Sequence, residues 1–331
     1  MTEKNLAIGV DLGGTKISFG LVDQFGSIQK KIRIATDVKG GPAAIQHQII
    51  STVNDLRQMT NEPIIGMGIG VAGQIEKNKG VVLFAPNLNW KNEPLQECLQ
   101  KETTIPIAVI NDVRAATWGE WLFGAGKGSN NIVCVFVGTG IGGGVISSGN
   151  LLTGASNTFG EIGHMTIDIN GPMCTCGKKG CFESIAGGWG IAKMAQEAVS
   201  KNQDKGKNLL KLANGQIDKI DAKIIVQAAK SGDSIASSLM QKVLEALIGG
   251  CSSLVNIYNP QRFILGGGFI DGNPDIIPMI EKGIKQNALA AAVENLEVLH
   301  AQLDGEAGVV GGAAFAFKTF FKTENQESLS I

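Results

Sequence analysis

Apolar runs broken by glycine turns set the rhythm of the chain. "NLAIGVDL" stops at an acid and a Gly-Gly pair, and "KISFGLVD" and "SIQKKIRIAT" complete a predicted three-strand meander. "GPAAIQHQIISTVNDLRQM" places Ile and Val at helical spacing, with a proline suited to a first turn. Two short buried strands are expected at "PIIGMGIGVAG" and "PIAVIND", and "DVRAATWGEWLFG" reads as a helix beginning at Asp112. The pattern then starts again. "NIVCVFVGTGIGGGVIS" is strand, Gly-Thr-Gly turn and strand, as near the start of the chain. Helices are expected at about 187–200, 221–231, 233–257 and 275–289, strands at "RFILGG" and "LEVLH", and a last helix from about 308.

Two halves that open alike predict an α/β fold with an internal duplication, the last helix packing back on the first half. The expected division is a smaller N-terminal domain, 1–115 plus 308–331, with the first glycine turn and Asp112. The larger C-terminal domain, 116–307, holds the second turn and a cysteine cluster.

Composition narrows the function. Glycine, at 45 of 331 residues, is about twice its usual share and clusters at the turns, where backbones approach ligands or each other. A net charge of −1 without a basic tract disfavours nucleic acid as a main partner. The N-terminus lacks a signal-peptide pattern, and the uncharged stretch 128–160 is too broken by glycine, serine and asparagine for a membrane span. Six cysteines in such a chain read as cytoplasmic thiols or metal ligands.

"DLGGTK", Asp11 to Lys16, ends a strand with an acid and turns through Gly13, Gly14 and Thr15. It is either an ordinary hairpin or a phosphate cradle in which Asp11 faces Mg²⁺. "VGTGIGGG" offers a second cradle around Thr139 and Gly140. It also matches G-x-G-x-x-G, but a strand follows it where a Rossmann site needs a helix, and no Walker A run occurs.

Asn111 and Asp112 stand where a strand meets a helix. Asp112 is either a helix cap or a general base. Glu161 and His164 in "EIGH" fall side by side if that segment is helical. Cys174, Cys176 and Cys181, spaced C-x-C-x₄-C, make with His164 a Cys₃His set suited to structural zinc. A buried thiol cluster and a transient disulfide are the alternatives, and C-x-C is a poor disulfide geometry. Glu183, just beyond the cluster, argues against an RNA-binding knuckle.

Together, "DLGGTKI", "NDVRAATWGE", "VGTGIGGGVI", "GEIGH", "CTCGKKGCFES" and "ILGGGF" closely resemble the ROK family of sugar kinases and repressors over nearly the whole chain. The resemblance implies an actin-like, ribonuclease-H-like ATPase fold, with two duplicated α/β domains around a cleft. It implies ATP-dependent phosphorylation of the 6-hydroxyl of a hexose, with glucose first. Mannose, fructose, N-acetylglucosamine and N-acetylmannosamine are alternatives. Asp112 would be the base, with Asn111, Glu161, His164, Glu183, Gly73 and Asn87 at the sugar. Asp11, Gly13, Gly14, Thr15, Lys16, Thr139 and Gly140 would face ATP and Mg²⁺, and Gly267 the adenosine. A homodimer is usual among such proteins. A sugar-responsive repressor would need a helix-turn-helix ahead of "LAIGVDLGG", where only a few residues stand. One departure is Arg114, where the catalytic run often has Asn; its place on the helix suggests an effect on packing.

Overall fold

The computed structural model describes residues 5–77 and 79–321. Residues 1–4 and 322–331 of the expected N-terminal domain lie outside the described residues. Two compact units emerge: one holds the chain up to Ser129, Gly144–Phe159 and everything from Gln302, the other Asn130–Gly143 and Gly160–Ala301.

In the first unit, β1 (Leu6–Leu12), β2 (Lys16–Asp23) and β3 (Ile28–Ala35) form the expected antiparallel meander. Helix α1 (Gly41–Gln58) leads to β4 (Ile64–Val71), parallel to β1. A separate small sheet of β5 (Gln74–Ile75), β6 (Val82–Ala85) and β7 (Trp90–Glu93) follows. Then come α2 (Leu95–Gln100), β8 (Ile107–Asn111) and α3 (Asp112–Phe123). The main sheet has the order β3-β2-β1-β4-β8. β1 and β2 are buried along almost their whole length, as a sheet covered on both faces requires, while β3 exposes most of its polar residues. Ile45, Ile49, Val53 and Leu56 form the buried stripe of α1 and join Ile8, Phe19 and Met67 in the core.

The second sheet begins with β9 (Ile132–Val137), β10 (Ile141–Ser147) and β11 (Asn150–Leu151). Five helices come next: α4 (Phe182–Ala186), α5 (Gly188–Lys201), α6 (Lys207–Leu212), α7 (Ala222–Lys230) and α8 (Ser234–Tyr258). Asp221 and Asp233 cap α7 and α8, each accepting a backbone N–H three residues on, and Asn259 ends α8 in the left-handed conformation. β12 (Arg262–Gly266), α9 (Gly268–Asp271), α10 (Ile276–Asn287), α11 (Ala290–Val293) and β13 (Glu297–His300) complete the run. The order is β11-β10-β9-β12-β13, with β9, β12 and β13 parallel. Position for position it repeats the first sheet, where β1, β4 and β8 are parallel. The expected duplication is therefore present in the strand order. Among the described residues no helix is long and apolar enough to cross a membrane.

The last helix, α12 (Ala307–Phe320), belongs to the first unit and lies against β1, β4 and α3. It approaches so closely that side chains are excluded at the contacts. A Cβ on Gly9 would collide with the Val309 carbonyl, one on Gly68 with the Gly312 carbonyl, and one on Gly311 with the Ala115 carbonyl. At the far end of α3, the buried Glu120 carboxylate accepts the backbone N–H groups of Ala125 (2.9 Å), Gln302 (3.1 Å) and Leu303 (2.7 Å). It satisfies three donors that burial would otherwise leave unpaired. Gly68→Ala is expected to destabilise this unit by about 3 kcal/mol through overpacking against backbone. Gly249→Ala, at an exposed α8 position with open space around it, should stabilise by about 0.5–1 kcal/mol. Chemical denaturation of the two variants checks the contrast.

Candidate functional site

Open α/β sheets bind ligands at the carboxyl ends of their parallel strands, and the candidate residues gather there. In the first unit Asp11 closes β1 and lies level with Gly70 of β4, which is level with Ile110 of β8. Asp11 and the Asn111–Asp112 pair thus stand two strand spacings apart, about 10 Å, at one edge of the sheet. Gly73 lies just past the end of β4, between them in strand order.

The Asp11 turn is built tightly. The Gly13 N–H donates to the Lys16 carbonyl (3.1 Å), and the Thr36 hydroxyl donates to the Gly13 carbonyl (2.7 Å). A Cβ on Gly14 would stand 2.5 Å from the Asn87 carbonyl oxygen. Asn87, read from sequence as a sugar contact, therefore places its backbone against this turn, from a short helical turn, Pro86–Leu88, after β6. Thr15 and Lys16 are exposed. Burial pushes the Asp11 carboxyl above its ordinary value, against the pull of Lys16 and Arg33 and with Glu306 adding to the rise. A carboxyl in that state is well suited to a cation, whose charge favours the ionised form.

At the start of α3 the two readings of Asp112 separate. The cap is Asn111, whose Oδ1 accepts the Arg114 N–H at 3.0 Å. Asp112 is the first helical residue, and its carboxylate sits where the helix dipole favours negative charge. The Asn111 amide donates to Asp112 Oδ1 (3.0 Å) and to the Gly73 carbonyl (3.2 Å). This fixes Asn111, Asp112 and Gly73 as one group.

In the second unit the Gly138–Gly140 turn joins β9 to β10, and α5 begins against it. The N–H groups of Gly188 and Trp189 donate to the carbonyls of Gly138 (3.0 Å) and Thr139 (2.9 Å). A cavity of about 940 Å³ opens beside this turn, lined among others by Thr139, Trp189, Asp221, Lys223, Phe269 and Asn273. Gly267 has a φ of 88°, and a Cβ there would lie 2.7 Å from the Val137 carbonyl oxygen. The residue serves the close approach of β12 to β9, and its neighbours Gly268 and Phe269 form the cavity wall. Trp189, Asp221 and Lys223 carried no signal in the sequence, because helix starts and faces of this kind occur throughout the chain.

Glu161 and His164 flank a single turn of 3₁₀ helix, Ile162–His164, with Glu161 Oε2 4.0 Å from His164 Nε2. The other ring nitrogen, Nδ1, faces Cys174 Sγ at 3.8 Å and Glu183 Oε1 at 3.9 Å. Glu183 lies in the first turn of α4, and its Oε2 accepts the Ile141 N–H at 3.3 Å. A Cβ on Gly140 would stand 2.6 Å from that same oxygen. One carboxylate therefore touches both the second glycine turn and the histidine.

The ligand atoms of His164, Cys174, Cys176 and Cys181 all lie within 4.8 Å of one another. Cys176 and Cys181 are 3.6 Å apart at sulfur. Two thiolates on a tetrahedral zinc stand about 3.8 Å apart, given Zn–S bonds of about 2.3 Å, so the donor set and spacing fit that ion. Without a cation, burial pushes the Cys181 thiol up to about 12 and raises Cys174. Burial also acts on Cys176, but hydrogen bonds from the Lys178 backbone and the two other cysteines lower it. Metal binding to such a cluster would be coupled to loss of the thiol protons.

The sequence model of the ROK family matches residues 7–319. The chain belongs to the ROK family. It is 36% identical over 312 residues to the glucokinase of Streptomyces coelicolor, covering 94% of this chain and 97% of that one. It superposes with a TM-score of 0.80 on a ROK family glucokinase from Streptomyces griseus solved with glucose and AMPPNP, at 34% identity and covering 95% and 99% of the two chains. The xylose repressor of Bacillus spizizenii is also similar, at 31% identity over 95% of this chain and 77% of the repressor. The fold is the actin-like ATPase fold of the ROK sugar kinases.

Proposed function

We propose that this ROK protein is an ATP-dependent hexose kinase that phosphorylates the 6-hydroxyl of glucose. The observation that carries the reading is the start of α3, where Asn111 takes the capping role and orients the Asp112 carboxylate at the strand ends. Similarity to a glucokinase over 94% of the chain gives the substrate class and the donor, and exceeds the identity to the xylose repressor.

Asp112 accepts the proton of the 6-hydroxyl as its oxygen attacks the γ-phosphate of ATP. A kinase asks little else of a base, because positioning and charge stabilisation supply most of the rate. Asn111, the Gly73 backbone, Glu161, His164 and Glu183 hold the sugar hydroxyls, and Asn87 supports the first turn. Backbone N–H groups at Gly13, Gly14, Thr15 and Gly140, with the hydroxyls of Thr15 and Thr139 and the Lys16 ammonium, bind phosphate oxygens. The adenosine occupies the cavity beside Gly267. Mg²⁺, held through Asp11, supplies neutralisation of the phosphate charge when bound. His164, Cys174, Cys176 and Cys181 would hold zinc, which when bound would fix the imidazole tautomer, with Nε2 available to the sugar. A cytoplasmic homodimer acting without nucleic acid is the proposed setting.

An ADP-release assay with glucose, mannose, fructose, N-acetylglucosamine and N-acetylmannosamine tests the reading, with glucose expected to give the highest kcat/KM. No ADP release above background with any of them would sink it. Asp112→Asn should lower kcat by at least about 10²-fold while glucose binding persists by calorimetry. Near-normal turnover would remove Asp112 from the chemistry. Cys176→Ser is expected to lose zinc by elemental analysis, with thermal stability and glucose affinity falling together. A full complement of metal in that variant would rule out Cys176 as a ligand.

A further inference from the structure

Arg114 stands two residues after the proposed base, where a packing role was expected from the sequence. Its surroundings are polar. The side chain is 4% exposed, and its guanidinium donates from Nη1 to Asn157 Oδ1 (2.7 Å) and from Nη2 to the Asn157 carbonyl (3.0 Å). A buried guanidinium is costly unless acceptors meet its fork, and Asn157 offers two on one residue. Asn157 holds a φ of 58°, the left-handed region that asparagine tolerates better than most residues. Its own amide donates to the Ile75 carbonyl at 2.8 Å, in the small sheet.

The contacts close on themselves. Arg114 donates its backbone N–H to Asn111, Asn111 donates to Gly73, and Gly73 lies two residues before Ile75 in the chain. Ile75 accepts from Asn157, and Asn157 accepts from Arg114. The circuit thus includes Asn111 and Gly73, both proposed sugar contacts, and the segment Thr153–Phe159, which the Phe159 N–H closes onto the Thr153 carbonyl at 3.1 Å. Glu161 follows that segment by two residues in sequence.

We infer that Arg114 is a positioning residue for the hexose: its fork on Asn157 holds the segment 153–159 to the helix that carries Asp112, and so fixes the sugar-binding side of the site. An asparagine at 114 lacks the reach for this bidentate contact, and a lysine offers a single point of donation instead of a planar fork. The assignment rests on the hexose-kinase reading. Turnover by the wild-type protein tests that reading on its own, and amide exchange in 153–159 tests the contact without reference to activity.

Steady-state kinetics of Arg114→Ala, Arg114→Lys, Asn157→Gly and the Arg114→Ala/Asn157→Gly double variant provide the test, with hydrogen–deuterium exchange on each full-length protein. Asn157→Gly keeps the left-handed backbone and deletes only the side-chain bonds, so it carries the test if Arg114→Ala fails to fold. Expected are a glucose KM raised about 10-fold in Arg114→Ala and Asn157→Gly, and an ATP KM within about twofold of wild type. Arg114→Lys should lie between them and wild type. The loss in the double variant should fall short of the sum of the single losses, because the bond from Arg114 Nη1 to Asn157 Oδ1 is common to both. Exchange in 153–159 should accelerate in all of them. A glucose KM unchanged in both single variants, an ATP KM rising by the same factor, or additive losses in the double variant would each overturn the assignment.

Discussion

The first unit depends on backbones meeting without side chains between them. Gly9 and Gly68 on adjacent strands and Gly311 and Gly312 on α12 let the helix settle against the sheet on one side and α3 on the other. Any side chain there would push α12 outward. The same helix brings Gly308 against the Asp11 side chain, where a Cβ would lie 2.9 Å from the carboxyl carbon. It therefore fixes the acid of the first turn and the helix that begins with Asp112 in one operation. The Glu120 carboxylate secures the other end of that arrangement by holding the chain at Gln302 and Leu303, just before α12.

In the second unit the corresponding role falls to a carboxylate. Glu183 binds the backbone at Ile141, crowds the space over Gly140 and faces the imidazole of His164, whose position the cysteines share. A glycine at 140 is the condition for this. A side chain at position 140 would meet the Glu183 carboxylate.

Much of the fold was legible because strong periodicity accompanied it. The meander, α1, β4, β8, α3 and the second strand–turn–strand each show a long apolar run or a helical stripe, and each lies within a residue or two of where the sequence places it. The repeated opening unit made the doubling visible as well. The small sheet went unread because its strands have only two to four residues, too few for an alternation to register. The cysteine cluster was legible from spacing alone, since its ligands are close in sequence. Arg114 and Asn157 were not, because a contact across 43 positions leaves no local trace. The ambiguity at Asp112 was of another kind. Cap and base draw on the same residue types, and only the hydrogen bond from Arg114 to Asn111 shows which residue caps the helix.

The matching strand orders have a historical consequence. One half carries a small sheet between its fourth and fifth strands, while the other carries the cysteine loop after its opening hairpin and a long helical run before its fourth strand. Because the additions enter at unlike points of a common plan, each copy could change its own insert while the strands beneath stayed put.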